Sequence, residues 1–476
     1  MICADSRRIL FLVFAFFVPL YLLTTPGHFY TVDSRMSYNT TKSLLHHGSL
    51  VIPQNIISVR NAEGKHTGRT GVLQPVLCMP LYLLGAAPDL IWGKVGFLYR
   101  NWRTTFVATF NQWVGALALA LFFLILLRVT GQGIPSFVAT VVLAFATPWW
   151  TYSRDLFRQP IAGLLFLWAI HGAIRFTEDG RARHVGQLGL ALALSFTNRI
   201  TAVAAWPGIV LYAVLGKKSP GRFRTLVWVV TGSVVLATIG IAAQIGLNYW
   251  RFGHWWGWAY EDRQFSLSYL KVSVPDFLLS PQRGLLLFSP PLLLFGHAVW
   301  ALWKKNRALC HCLLLALSGK LLLFCTYYDF AGGMNPGPRY LIPIIPIFYL
   351  FVGVLVCTEW HNRTFRWSLY VLAAVGAVVN GFNTLIFYPK TLPFWDQIFR
   401  LMKPENYEGM LPWRGLWDVY DVLAAKWILE KYYEWAFIYI SGLVLISLFA
   451  LKALIPVLTN GYPTLRQGQA EAIRSS

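Results

Sequence analysis

Apolar runs long enough to cross a bilayer recur along this chain, and the short segments between them are dense in Lys and Arg. A spanning helix needs about 20 mostly apolar residues. The runs occupy 9–23, 104–127, 135–150, 159–176, 187–215, 225–247, 285–303, 308–327, 340–358, 367–387 and 435–456. Compact basic clusters separate several of them: Arg181 and Arg183, then Lys217, Lys218, Arg222 and Arg224, then Lys304, Lys305 and Arg307, then Arg363 and Arg366. Cytoplasmic loops collect Lys and Arg, so these clusters mark the inner side. The run 187–215 has a basic cluster at both ends, which one helix cannot satisfy. It is therefore predicted to be a hairpin of two short helices turning near 195–199. The resulting fold class is an all-α polytopic membrane protein of about 12 transmembrane helices, with both termini inside.

Composition agrees with this class. The chain is 56% hydrophobic and only 13% charged, which excludes a disordered chain and an ordinary soluble enzyme. The formal charge of +21 comes from 41 Lys and Arg against 20 Asp and Glu. In a membrane protein such an excess reflects topology rather than nucleic acid. Topology does not account for all of it, because the segments assigned to the outer side hold most of the acids and are still net positive. An anionic ligand on that side accounts for the remainder. The first run follows Arg7 and Arg8 as a signal peptide would, but Thr24-Thr25-Pro26-Gly27-His28 offers no small-x-small cleavage site. It is read as an uncleaved first helix. Val72 to Trp92 is apolar but holds Pro75, Pro80 and Pro88, and is read as a juxtamembrane element. Neither a P-loop nor a dinucleotide fingerprint is present. The adjacent Cys310, His311 and Cys312 cannot supply a four-ligand metal site by themselves.

Several short motifs on the outer side can carry chemistry. Asp33 follows the first helix by a short connection, which suits a general base at the membrane surface or a helix N-cap. Asp155 lies in Tyr152-Ser153-Arg154-Asp155, with Arg158 close behind, so it is either an active carboxylate or half of a loop ion pair. Arg339 ends a Gly/Pro-rich stretch, Gly332-Gly333 to Gly337-Pro338, at the outer mouth of a span, where a guanidinium can clamp a phosphate or anchor the helix. Arg283 has a similar place, and Lys65, Arg69 and Arg154 are further outer cations. Arg199 and Lys320 fall inside apolar runs, where a charge marks a functional site by default or snorkels outward. Trp255, Trp256, Trp258 and Tyr260 suit either the membrane interface or the face of a sugar.

In order and side, these motifs resemble the GT-C superfamily of polytopic glycosyltransferases that use polyprenyl-phosphate-linked sugars. The protein mannosyltransferases and the lipid A aminoarabinose transferases are the most similar branches. The resemblance covers most of 1–345. It rests on Asp33, Ser43-Leu44-Leu45 with Gly48, Pro80-Leu81-Tyr82-Leu83-Leu84-Gly85, Tyr152-Ser153-Arg154-Asp155, Asn198-Arg199, Ser280 to Pro290 and Gly332 to Tyr340. It implies a GT-C-like transmembrane module over 1–387, whose outer loop 24–103 carries juxtamembrane elements. An outer segment at 388–434 matches no family pattern, and 435–476 forms a last helix and cytoplasmic tail.

It further implies an inverting glycosyltransferase of the cell envelope, in a bacterial inner membrane, with its site facing the periplasm. Asp33 is the implied catalytic acid and Asp155 the secondary one. Lys65, Arg69, Arg154, Arg283 and Arg339 are the implied lipid-phosphate contacts. The partners implied are a polyprenyl-phosphate-linked sugar donor, a lipid, glycan or protein acceptor, and membrane lipids, with no nucleic acid. Several members carry two adjacent acids in the first loop. Here Ser34 follows Asp33, so the pattern does not support a divalent metal, and no cofactor is assigned. The competing expectation is a secondary transporter or lipid flippase, for which a broken helix at 187–215 and a buried Lys320 would form a midplane site.

Overall fold

The computed structural model describes residues 2–29, 31–55, 58–61, 63–91, 102–216, 222–253, 255, 265–281, 283–330, 332, 336–385, 424 and 433–459. Helix α1 (Ile2–Leu22) leads into α2 (Val32–His47), and strands β1 (Ser58–Arg60) and β2 (His66–Gly68) pair antiparallel before α3 (Leu73–Ile91). Then come α4 (Trp102–Ala108), α5 (Phe110–Thr130), α6 (Gly133–Phe145), α7 (Pro148–Arg154), α8 (Gln159–Asp179) and α9 (Ala182–Asn198). A 3-10 turn over Ile200–Ala205 joins α10 (Trp206–Leu215), followed by α11 (Arg222–Phe252), α12 (Leu270–Leu279) and α13 (Leu285–Phe288). The chain continues through α14 (Phe295–Lys305), α15 (Arg307–Cys325), α16 (Ile345–Thr358), α17 (Arg363–Leu385) and α18 (Tyr433–Thr459). The outer segment expected at 388–434 lies almost wholly outside the described residues, as do 460–476.

The architecture is a helical membrane protein, but the expected count of about 12 spans is not met. Among the described residues, six helices are long and apolar enough to cross a membrane: Trp102–Thr130, Gln159–Asp179, Arg307–Cys325, Arg339–Thr358, Arg363–Leu385 and Tyr433–Thr459. A seventh arises if α6 and α7, bent by 59° at their junction, form one span. Apolar content sets where a segment prefers to lie, not whether its helix stays unbroken. Ser289-Pro290-Pro291 divides the run 285–303 into α13, a 3-10 turn over Pro290–Leu294, and α14, because Pro supplies no N–H to continue the ladder. The run 187–215 also breaks, with Arg199 as the C-cap of α9. Its two halves go to different neighbours: α9 packs on α8 and α11, whereas α10 packs on α15 and α8. The small β1–β2 ribbon is an addition that the helical periodicity did not announce.

Backbone freed at such breaks needs partners when it lies away from water. Lys320 provides one. It is 1% exposed, and its ammonium donates to the Thr201 carbonyl at 2.8 Å and hydroxyl at 3.1 Å. Close packing brings these groups together. A Cβ on Gly319 would overlap the Ala204 carbonyl oxygen, and one on Gly208 would overlap that of Cys312. Lys320 is thus a strut between α15 and the 3-10 turn rather than a snorkelling cation. Lys320→Met should lower stability by about 1–3 kcal/mol, the cost of leaving a buried carbonyl and hydroxyl unpaired. A melting curve of the purified variant no lower than that of the parent would count against this role.

Candidate active site

The site forms where the start of α2, the turn between α7 and α8, and the N-terminal end of the span Arg339–Thr358 meet. Thr31, not Asp33, caps α2: its hydroxyl accepts from the Ser34 N–H at 3.1 Å. Asp33 is left in the first turn with its carboxylate available. That carboxylate accepts a hydrogen bond from Nη2 of Arg339, 306 residues away in sequence. The Arg339 side chain is 21% exposed and that of Asp33 24%. Arg339 also donates from Nη1 to the Gly332 carbonyl at 3.1 Å, and its guanidinium lies 5.6 Å from the Phe157 ring centroid.

Burial pushes the Asp33 carboxyl up, but the Arg339, Arg158 and Arg69 guanidiniums outweigh it and hold the group below the ordinary carboxylate value. One of these three cations, Arg339, is in direct contact with the carboxylate, and the other two act on it through space. Arg69 sits between two backbone carbonyls, those of Gly68 and Thr70, that both accept from Nη2 of Arg251 at the end of α11. Its backbone is fixed on either side by that one buried side chain.

Asp155 occupies the same region in a different capacity. It is buried, and its carboxylate accepts from the Thr31 hydroxyl at 3.2 Å and from the Leu156 N–H at 2.8 Å. It is thus tied to the cap of α2, and through that cap it fixes the turn carrying Asp33. The carbonyls of this α7–α8 turn are held by buried side-chain amides. Gln112 donates to Arg154 O at 3.2 Å, Asn111 to Asp155 O and to Phe157 O at 2.7 Å, Gln74 to Phe157 O at 2.9 Å, and Asn198 to Arg158 O at 3.1 Å. The four amides come from α5, α3 and α9. Gln112 also reaches the Thr25 hydroxyl at 3.1 Å, so the exit of α1 is fixed to the same frame.

The remaining sequence-expected cations have partners of their own. Arg154 is buried, with Nε donating to the Thr24 carbonyl at 3.2 Å. It lines a small cavity of about 10 Å³ with Thr151, Tyr152, Asp155, Phe157, Pro336 and Asn383, room for about one water. Lys65 stands at the tip of the β1–β2 ribbon, 60% exposed and paired with Glu63 at 2.9 Å. Arg283 pairs with Asp276 at 3.5 Å. Arg199 lies over Tyr340 at 5.5 Å and Phe324 at 6.0 Å, two rings stacked at 4.5 Å. Among the described residues no three His, Cys, Asp or Glu side chains are grouped to hold a metal ion. Of the Trp cluster near 250–260, Trp256, Trp258 and Tyr260 lie outside the described residues.

Sequence reasoning assigned no role to Gln74, Asn111 or Gln112, and took Arg158 only as a cation flanking Asp155. The signal available was the polar pair Asn111-Gln112 inside the apolar run 104–127.

No protein-family model matches the sequence, and no curated protein matches it. Solved structures do resemble it. ArnT from Cupriavidus metallidurans bound to undecaprenyl phosphate has a TM-score of 0.49 at 12% identity, over 97% of this chain and 78% of its own. Its apo state gives 0.49 at 14%, over 92% and 74%. The archaeal oligosaccharyltransferase AglB from Archaeoglobus fulgidus, in complex with an inhibitory peptide and a dolichol-phosphate, gives 0.43 at 10%, over 87% and 59%. These values assign no role to any residue.

Two outcomes follow from the geometry. Asn111→Leu keeps the side-chain size but removes one donor from each of two buried carbonyls, Asp155 O and Phe157 O, which keep the Phe157 N–H and Gln74 as their remaining donors. The loss of the two bonds should cost about 1–2 kcal/mol of stability. A denaturation midpoint matching the parent would show that the amide bears no weight. Asp33 is held below its ordinary value, so the stability it contributes is present above the unfolded value of about 4 and is lost as pH falls through the folded one. The stability gap between parent and Asp33→Asn should therefore close on acidification. A gap independent of pH between about 2 and 7 would remove the ion pair from this account.

Proposed function

We propose that this chain is an integral-membrane inverting glycosyltransferase that moves a sugar from a polyprenyl-phosphate carrier to an acceptor hydroxyl on the outer (periplasmic or lumenal) side. The observation carrying the proposal is the pairing of Asp33 with Arg339, at the start of the span Arg339–Thr358, with further guanidiniums acting on the carboxylate. A base and a set of phosphate-matched cations then share one site.

In this reading the acceptor oxygen attacks the anomeric carbon of the donor. Its proton goes to the Asp33 carboxylate as the new C–O bond forms. The bond between the anomeric carbon and the phosphate oxygen breaks on the opposite face, and its electron pair leaves with the polyprenyl phosphate. One displacement inverts the anomeric centre. The growing phosphate charge needs donors rather than a general acid, and Arg339, Arg158 and Arg69 are arranged to provide them. Lys65 and Arg154, also candidates by sequence, already have Glu63 and the Thr24 carbonyl as partners. Asp155 positions the Thr31 cap instead of acting as a second nucleophile.

The ion pair also orders events. While Arg339 binds Asp33, the carboxylate is a weakened base. A donor phosphate that draws the guanidinium to itself restores that basicity as the donor arrives.

The transporter reading drew on Lys320 and the break in 187–215. Lys320 is engaged by Thr201, so its presence in the apolar interior has a structural explanation.

The test is sugar transfer from polyprenyl-phosphate sugars by the purified chain in lipid nanodiscs. Asp33→Asn should lower kcat by about 100-fold or more. Arg339→Ala should raise the donor KM more than the acceptor KM, and the product should show the inverted anomer by NMR. Undiminished turnover in Asp33→Asn would refute the base assignment.

A further inference from the structure

Tyr152 has a hydroxyl with no hydrogen-bond partner among the described residues, on a side chain that is fully buried. It belongs to α7, three residues before Asp155. Its ring is held at 4.8 Å against Phe157, the ring over which Arg339 lies. The hydroxyl stands within electrostatic reach of Arg339, Tyr340, Arg199 and Arg283. A guanidinium offers only N–H donors, so these cations can satisfy the phenol oxygen but never its proton. Asp33 receives Arg339, and Asp155 receives the Thr31 hydroxyl and the Leu156 N–H. Among the described residues this corner offers the phenol proton no acceptor, and an acceptor that cations also favour is an anionic phosphate oxygen.

We infer that the Tyr152 hydroxyl donates a hydrogen bond to the phosphate of the lipid-linked donor, beside Arg339. This rests on the glycosyltransferase reading for the identity of the ligand. Its geometry depends only on a buried hydroxyl with no partner among the described residues, on a ring packed against the Phe157 ring that Arg339 covers. The hydroxyl would make no contact with the sugar or the acceptor, so it acts on donor binding.

Unpaired buried hydroxyls weaken a fold, and replacing one by hydrogen relieves that cost. Tyr152→Phe keeps the ring packed on Phe157 and deletes only the oxygen. In the ligand-free full chain its melting temperature should equal or exceed that of the parent. Its affinity for polyprenyl phosphate, measured in nanodiscs, should fall about tenfold, the usual scale of a hydrogen bond to a charged group. Polyprenol, which lacks the phosphate, should bind both proteins equally. Inorganic phosphate is the second arm: a matching tenfold loss there means that the corner reads phosphate itself, and a loss confined to the lipid means that it reads the phosphate only in the carrier.

Equal polyprenyl phosphate affinity in parent and Tyr152→Phe would overturn this inference and leave the glycosyltransferase reading standing. A lower melting temperature in the ligand-free variant would also overturn it, since the hydroxyl would then have a partner within the fold. Tyr152-dependent phosphate binding without any sugar transfer would reject the glycosyltransferase reading and retain the site. A parent that binds neither phosphate ligand would overturn both.

Discussion

A carbonyl oxygen removed from water has to find a donor, and that requirement shapes this protein around the turn between α7 and α8. The turn interrupts helical backbone in the interior. Four buried amides, Gln74, Asn111, Gln112 and Asn198, supply the N–H groups that a continuous helix would have supplied. They come from three different helices, so satisfying the turn also fixes those helices relative to one another. Arg154 and Gln112 extend the frame to the exit of α1. The short connection onward from there leaves α2 little freedom. Asp155 completes the arrangement by accepting from the cap of α2. The direction of Asp33 is thus set by backbone satisfaction elsewhere.

On that frame stands an ion pair between residues far apart in the chain. A carboxylate and a guanidinium that are both largely removed from water are costly apart and compatible together. Their pairing keeps both charges in place without a ligand. It also makes the resting carboxylate a poor base. The Lys320 contact with Thr201 follows the same rule at the other break: a charge placed in an apolar run is held by the polar atoms that the break releases.

Much was legible in the sequence because it depends on composition and local order. The helical membrane class follows from recurrent apolar runs. Residues 187–215 break where Asn198 and Arg199 interrupt the run, and Leu73–Ile91 forms the single helix α3. Asp33 and Arg339 were both recognisable as charges beside the ends of apolar segments. The number of spans was not legible, because hydropathy does not record where Pro290 and Pro291 divide a helix or where α6 bends into α7. Nor was the fate of each cation. Lys65 and Arg283 look like phosphate contacts in one dimension, yet each has an acidic neighbour a few residues away.

The sequence by itself determined that the chain is a helical membrane protein and that scarce acids and abundant cations gather near span ends, since these depend on transfer free energies that each segment carries alone. Only the tertiary structure decided that Asp33 meets Arg339, that Asp155 serves the Thr31 cap and that Tyr152 has no acceptor among the described residues. Those outcomes depend on distances between segments up to 306 residues apart, and such distances are set by how every buried polar group finds its partner at once.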